Sequence, residues 1–268
     1  MNATSRIIVG RLSENRTGRD IVIGDLHGHA DRLLRLMDRE RFDPARDRII
    51  ACGDLADRGP ASRRCLNLLS EPWFFSVRGN HDQHFIDQVI AILFAVANRG
   101  IGLEDALRLA RPAAESMESE WILDWLKDRC RSDALADADR LAALANSMPH
   151  ILVVGQDQNR FQVVHAEAWE NGNPLSNAAI DGGLPGASAG LVDRLMWGRT
   201  VHAAMDCFPD IAQTNEPGIS PTFCGHNVVR EVSLWRNHIF MDTGCGFDYE
   251  NWMRLSAFVV QEGRVVSI

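Results

Sequence analysis

The 268-residue chain is almost without lysine: Lys127 is the only one, and arginine makes up the rest of its 28 basic residues. The plain reading of that bias is genome base composition. At a few positions arginine also offers phosphate oxygens a planar fork that an ammonium group cannot. An excess of positive charge is missing too. The formal net charge is −8, which argues against a nucleic-acid or anionic-membrane partner but leaves room for a small basic pocket. Long apolar runs are absent. The longest, Val89 to Ala97, is far too short to cross a bilayer, and Met1 to Leu12 holds no extended apolar stretch of the secretory kind. None of the six cysteines (Cys52, Cys65, Cys130, Cys207, Cys224 and Cys245) has a C-x-x-C neighbour. That excludes a zinc knuckle or a thioredoxin-like motif. The expectation is a cytoplasmic protein with free thiols. Its length suits one domain over residues 1–268, with no repeats or low-complexity tail.

β-branched and apolar runs predict strands at Ile21–Ile23, Arg48–Cys52 and Trp73–Val77, with helices starting near Asp31 and Ala61 between them. Strands alternating with helices imply parallel βαβ units and an α/β fold. Residues 83–148 read differently. Ile86, Val89, Ile90, Leu93 and Phe94 recur at helical spacing, as do Trp121, Ile122, Trp125 and Leu126, and then Leu141, Leu144 and Met148. These stripes predict a helical insert whose apolar residues are core. Strands resume at Ile151–Val154, Phe161–Val164, Thr222–Cys224, Ile239–Met241 and Ala257–Val260, linked by loops at 170–190 and 206–221. Residues 1–19 read as a lead-in strand or arm.

Three fragments carry the chemistry: Gly24-Asp25-Leu26-His27-Gly28, Gly53-Asp54-Leu55-Ala56-Asp57-Arg58-Gly59 and Gly79-Asn80-His81-Asp82. Each places a carboxylate, imidazole or amide in a Gly-flanked turn just after a predicted strand. The C-terminal edge of a parallel sheet is the usual ligand crevice. Asp25 and His27, two apart, leave an extended backbone on one face. Two further predicted strand ends carry His165 and His226. Asp25, His27, Asp54, Asn80, His165 and His226 are too many donors for one ion and suit two ions sharing a bridging carboxylate. Mixed carboxylate and imidazole donors favour Mn, Fe or Zn over Mg or Ca.

Two such ions, roughly 3.5–4 Å apart, activate a bridging hydroxide and neutralise a phosphoryl group. His81 is placed to be the acid for the leaving group, Asp57 to fix its tautomer, and Arg58 to grip phosphate oxygens. Any one of these motifs alone would be weak evidence; three in succession, each after a strand, point to a phosphoesterase. The remaining histidines, His29, His84, His150, His202 and His238, read as surface or core residues.

With those motifs the chain resembles the calcineurin-like metallophosphoesterases, and within them the phosphoprotein phosphatases of the bacteriophage lambda type. The resemblance is strongest over residues 48–87 and weakest over 95–148. It implies a central β-sandwich flanked by helices (αββα) and two divalent metal ions, with Mn²⁺ expected. In it Asp25, His27 and Asp54 match ligands, with Asp54 the bridge, while Asn80, His165 and His226 match the second ion's ligands. His81 matches the general acid, Asp57 its partner, and Arg58 and Arg199 phosphate contacts. The implied activity is a protein serine/threonine phosphatase acting on a phosphorylated protein or peptide. The alternatives are a symmetrical dinucleoside tetraphosphate hydrolase, another nucleotide phosphoesterase, or a silent phosphoprotein-binding scaffold. Three positions depart from the common pattern: Asp82 stands where glutamate is usual, Glu167 follows His165-Ala166 where glycine is commoner, and Asn227 follows His226 where threonine is usual. Symmetrical tetraphosphatases also read Gly-Asn-His-Asp, but commonly lack the acid corresponding to Asp57.

Overall fold

The computed structural model describes residues 7–128, 131–184, 186–188, 190–208 and 216–268. Cys130 and residues 209–215 of the second expected loop lie outside them. The five cysteines described are free thiols.

The first half alternates β1 (Val9–Leu12), β2 (Asp20–Ile23), α1 (Ala30–Arg39), β3 (Arg48–Ala51), α2 (Ser62–Asn67) and β4 (Phe74–Ser76). Helices α3 (Asn80–Asn98), α4 (Leu103–Ser116), α5 (Trp121–Asp128) and α6 (Arg131–Asn146) follow. Then come β5 (Ile151–Val154), β6 (Phe161–Val164), the short hairpin β7 (Trp169–Glu170) and β8 (Asn173–Pro174), α7 (Asn177–Asp181), α8 (Leu191–Trp197) and α9 (Thr200–Cys207). The chain ends with β9 (Thr222–Cys224), β10 (Ser233–Trp235), β11 (His238–Phe240), β12 (Ser256–Val259) and β13 (Arg264–Ser267). Among the described residues these make a sheet of order β1-β5-β6-β9-β11-β10 and a second of order β13-β12-β2-β3-β4.

Side-chain alternation stacks the two sheets. Val22 and Ile50 point inward and meet Leu152, Val154, Phe161, Val163 and Phe223 of the opposite sheet. Their neighbours Ile21, Ile23, Ile49 and Ala51 point outward into a core shared with Leu33 and Leu36 of α1, Leu66 of α2 and buried residues of the insert. On the far side Ile151, Val153, Val164 and Cys224 pack on Ile180, Leu191, Leu195 and Val201. The period of two puts successive residues in different layers, which yields the expected order helix, sheet, sheet, helix.

Strands β2, β3 and β4 are parallel, and so are β6 and β9. Their C-terminal ends meet at one edge, where Gly225 N–H, just after β9, donates to the His165 carbonyl, just after β6. Two differences from the sequence reading matter. The insert's first helix begins at Asn80 rather than 83, capped by Gly79, so Asn80 and His81 occupy its first turn. The expected loop at 170–190 contains the β7–β8 hairpin and α7, because Ser176 accepts the Ala179 N–H and starts a helix.

Candidate active site and metal centre

The turns at this edge are held by backbone hydrogen bonds between motifs. The N–H groups of Leu26 and His27 donate to the Asp54 carbonyl at 3.1 and 2.8 Å, and Gly28 N–H donates to Leu55 at 2.9 Å. His27, Asp54, Asp57, Arg58 and His226 all have left-handed backbone, with φ between 41° and 74°. For residues with a Cβ this costs about 1–2 kcal/mol each, and such strain gathers where surrounding structure enforces a functional geometry. Close approach also demands glycine beside these residues. A Cβ on Gly225 would overlap Asp25 Oδ1, and one on Gly79 would overlap Asp54 Oδ1.

The turns bring the sequence-predicted residues together around a cavity of about 400 Å³, lined by Asp25, His27, Asp54, Arg58, Asn80, His81, Arg199 and His226. His165 lies behind it, fully buried. Asp54 is common to two donor groups, one with His27 and His81 and one with His165 and His226, each with its ligating atoms within 4.8 Å of one another. Asp54 Oδ2 is 3.5 Å from His27 Nε2 and 3.4 Å from His165 Nε2. Asn80 Oδ1 is 2.8 Å from His165 Nε2 and 3.0 Å from His226 Nδ1. Asp25 accepts the His226 backbone N–H at 3.0 Å.

The chemistry of this donor set fits divalent cations. His27 Nδ1–H donates to the Ala56 carbonyl and His165 Nδ1–H to the Cys52 carbonyl, at 2.9 and 2.7 Å. A carbonyl can only accept, so in its neutral form each ring turns its Nε2 lone pair into the cluster: that of His165 faces Asp54 and Asn80 oxygens, which only accept, while that of His27 faces Asp54 Oδ2 and the donating Arg58 Nη1. A cation relieves that opposition. His226 Nε2 is likewise buried without a hydrogen-bond partner. Burial disfavours charge on Asp54, but His165 and His81 outweigh it and hold its carboxyl well below the usual range. Burial, reinforced by Asp242, pushes Asp25 well up. For His165 burial is overcome by Asp54 and Asp25, which raise it to about 10. Burial and His165 push His226 down to about 3. The potential that retains a proton at His165 also favours metal cations.

His81 Nδ1–H donates to Asp57 Oδ2 at 2.7 Å, with Asp57 fully buried. Burial opposes protonation of His81, but Asp54 and Asp57 outweigh it and raise its pKa. Arg58 lies over the Phe247 ring at 4.4 Å, with Nη1 2.6 Å from His27 Nε2 and Nη2 3.3 Å from His81 Nε2. Arg199 precedes α9 and donates from Nη1 to Asn227 Oδ1 at 3.1 Å.

Several residues at the site escaped the sequence reading. Trp121 of the insert donates its indole N–H to Asp57 Oδ1 at 2.7 Å; its apolar stripe reads as plain core. Glu118, between α4 and α5, accepts from Arg58 Nε at 3.1 Å. Asp242 and His202 line the cavity; an acid directly after the predicted strand Ile239–Met241 was the available signal for Asp242. Two departures from the family pattern meet at the turn carrying Arg199. Glu167 accepts the Val201 N–H at 2.8 Å, and Asn227 Nδ2 donates to the Gly198 carbonyl at 3.0 Å. The third departure, Asp82, accepts the N–H groups of Asp54, Leu55 and Gly79 at 2.9–3.0 Å. Its carboxylate ties two turns together.

A larger groove of about 1540 Å³ lies at the opposite strand ends, by Leu12, Arg48 and Arg160. Its arginines are paired, Arg11 and Arg160 with Asp181 and Arg48 with Asp20, and neither three-residue donor group lies there.

A family model described as calcineurin-like phosphoesterase matches residues 19–177, spanning all three Gly-flanked turns and His165. The chain belongs to the calcineurin-like phosphoesterases. This member is similar to serine/threonine-protein phosphatase 2 of Escherichia coli, 29% identical over 223 residues, 83% of this chain and 86% of that protein. It is also similar to serine/threonine-protein phosphatase 1 of Salmonella typhimurium, 34% identical over 149 residues, 54% of this chain. The match spans only 57% of that relative's length. A symmetrical bis(5'-nucleosyl)-tetraphosphatase of Dechloromonas aromatica is 39% identical over 110 residues, covering 39% of this chain and 36% of that one. The solved structure of a candidate diadenosine tetraphosphatase superposes with a TM-score of 0.58 at 22% identity, covering 98% of this chain and 97% of the other; at that identity it speaks for the fold. As a calcineurin-like phosphoesterase the chain is a metal-dependent hydrolase of phosphoric esters.

Proposed function

We propose that the chain is a protein serine/threonine phosphatase that cleaves phosphate monoesters at the Asp54-centred cluster. The observation that carries this reading is the buried His81–Asp57 pair, joined at 2.7 Å beside a carboxylate shared by two donor groups. Asp25, His27 and Asp54 would hold one divalent ion, and Asp54, Asn80, His165 and His226 a second. Mn²⁺ is the ion expected. Such ions supply Lewis acidity and neutralise phosphoryl charge. Arg58 and Arg199 face the cavity and bind phosphoryl oxygens. Asp57 keeps the proton on His81 Nδ1, leaving Nε2 to deliver a proton to the departing serine or threonine oxygen. Phosphoserine has a poor alkoxide leaving group, so a positioned acid is what a monoesterase of this kind needs.

A second reading, hydrolysis of symmetrical dinucleoside tetraphosphates, draws on the tetraphosphatase relatives. Asp82 weighs for neither: its carboxylate is spent on three backbone N–H groups. The test is kcat/KM of the Mn²⁺-loaded protein on a phosphoserine peptide and on diadenosine tetraphosphate in parallel. Preference for the peptide supports the phosphatase. Preference for the dinucleotide moves the function to nucleotide turnover at the same cluster.

A further inference from the structure

The helical insert reaches the mouth of the cavity through Ser116, Met117 and Glu118. Glu118 is the charged residue of that edge. Its side chain is 64% exposed and pairs with Arg58, itself only 21% exposed. Backbone contacts fix its place: the Glu118 carbonyl accepts the Arg58 N–H at 3.2 Å, and the following Ser119 N–H donates to the Ala114 carbonyl at 2.9 Å. The carboxylate therefore takes the outer, Nε side of the Arg58 fork and leaves Nη1 and Nη2 facing the cluster. It is also the outer, solvent-facing member of that pair at the rim. Arg199, by contrast, is held by a neutral amide, Asn227 Oδ1, at 3.1 Å. Among the described residues the mouth thus has one arginine paired with a carboxylate and one held by a neutral amide, enough for a single phosphoryl group, with the Glu118 carboxylate turned to solvent just outside it.

We infer that Glu118 is a specificity determinant that selects a lone phosphoryl group flanked by basic residues and rejects acidic or polyphosphate neighbours. This rests on the phosphatase reading above. A second phosphate or a glutamate beside the scissile group is repelled by the rim carboxylate; an arginine there is attracted. Charge complementarity at a partly exposed rim sets specificity and is weakened by salt.

Two phosphoserine peptides, identical except for arginine or glutamate residues flanking the phosphoserine, provide the test, with diadenosine tetraphosphate as a third substrate. The readout is the ratio of kcat/KM values at low and high salt, which cancels any general loss of activity. The wild-type Mn²⁺-loaded chain should prefer the basic peptide by about tenfold at low salt, from one unit charge at intermediate dielectric, and less at high salt. Glu118→Gln should bring the ratio to within about twofold of unity, and Glu118→Lys should reverse it. A ratio that is the same in all three proteins overturns the inference. Wild-type preference for diadenosine tetraphosphate over both peptides overturns the phosphatase reading together with the rejection of polyphosphate, and the peptide ratio across the three proteins then decides whether Glu118 selects basic over acidic neighbours.

Discussion

Replacing Trp121 with phenylalanine removes one N–H and leaves most of an aromatic stack in place. Trp121 lies between Phe85, with ring centroids 5.7 Å apart, and Trp125 at 6.0 Å, both pairs near parallel. A phenyl ring keeps those faces covered. What goes is the 2.7 Å hydrogen bond to Asp57 Oδ1. Asp57 is fully buried, and its other oxygen is engaged by His81. A hydrogen bond to a charged group is worth about 1.5–3 kcal/mol, and a buried acceptor left unpaired carries its full desolvation penalty. Trp121→Phe should therefore lower unfolding free energy by about 2–3 kcal/mol in urea titrations. It should also let Asp57 and His81 shift. Loss of about 1.4 kcal/mol of orientation is a tenfold fall in kcat. That fall should be large on a phosphoserine peptide, whose alkoxide needs a proton. It should be small on 4-nitrophenyl phosphate, whose leaving group does not. Equal losses on the two substrates would reduce Trp121 to a packing residue. A stability change under about 0.5 kcal/mol would show that the indole N–H does not hold a buried carboxylate.

His81→Asn should cut kcat on the phosphoserine peptide by about 10²–10⁴ and less on the aryl phosphate; an equal loss would refute the acid role. Calorimetric titration of the metal-free protein with Mn²⁺ should find two equivalents, and Asp54→Asn, which alters the shared carboxylate, should disturb both; retention of two unaltered sites would refute a bridging role. Asn227→Ala removes the acceptor of Arg199 and a tether of Gly198, and at about 1 kcal/mol per hydrogen bond KM should rise several-fold; an unchanged KM would remove Asn227 from the positioning of Arg199. Stability should also fall with acid. Burial pushes His150 and His238 down to about 4; His150 Nδ1 accepts the Ile8 N–H and His238 Nε2 the Ala168 N–H. Both rings charge below about pH 6.5 in the unfolded chain but only near pH 4 in the fold, so stability is full above pH 6.5. By pH 4 each ring should have lost about 3 kcal/mol. His150→Gln should flatten that slope in urea melts between pH 7 and pH 4.5, and an unchanged slope would rule out the buried neutral ring.

Strands β5 and β6 match the sequence reading residue for residue, because each is a short, mostly β-branched or apolar run, broken in β6 only by Gln162. Strands β10 and β13 were missed: they are short, at sheet edges, and expose Leu234 and Val265. The start of α3 was placed three residues late because Gly79 carries no side-chain cap to announce it. That small error hid a consequence. The first turn of α3 presents the His81 N–H to Asp54 Oδ1 at 2.9 Å, so a helix N-terminus helps hold the central carboxylate charged.

The sequence by itself determined the donor types and their placement at strand ends, since local runs, Gly-flanked turns and two-residue spacings are properties of adjacent residues. Only the tertiary structure decided that Asp54 is shared between two histidine groups, that Glu167 and Asn227 grip the Arg199 turn, and that Trp121 and Glu118 of the insert touch Asp57 and Arg58 across 64 and 60 residues of chain. Hydrogen bonds and charge pairs act over ångströms, and the residues that meet at that range are chosen by how the layers pack rather than by their order along the chain.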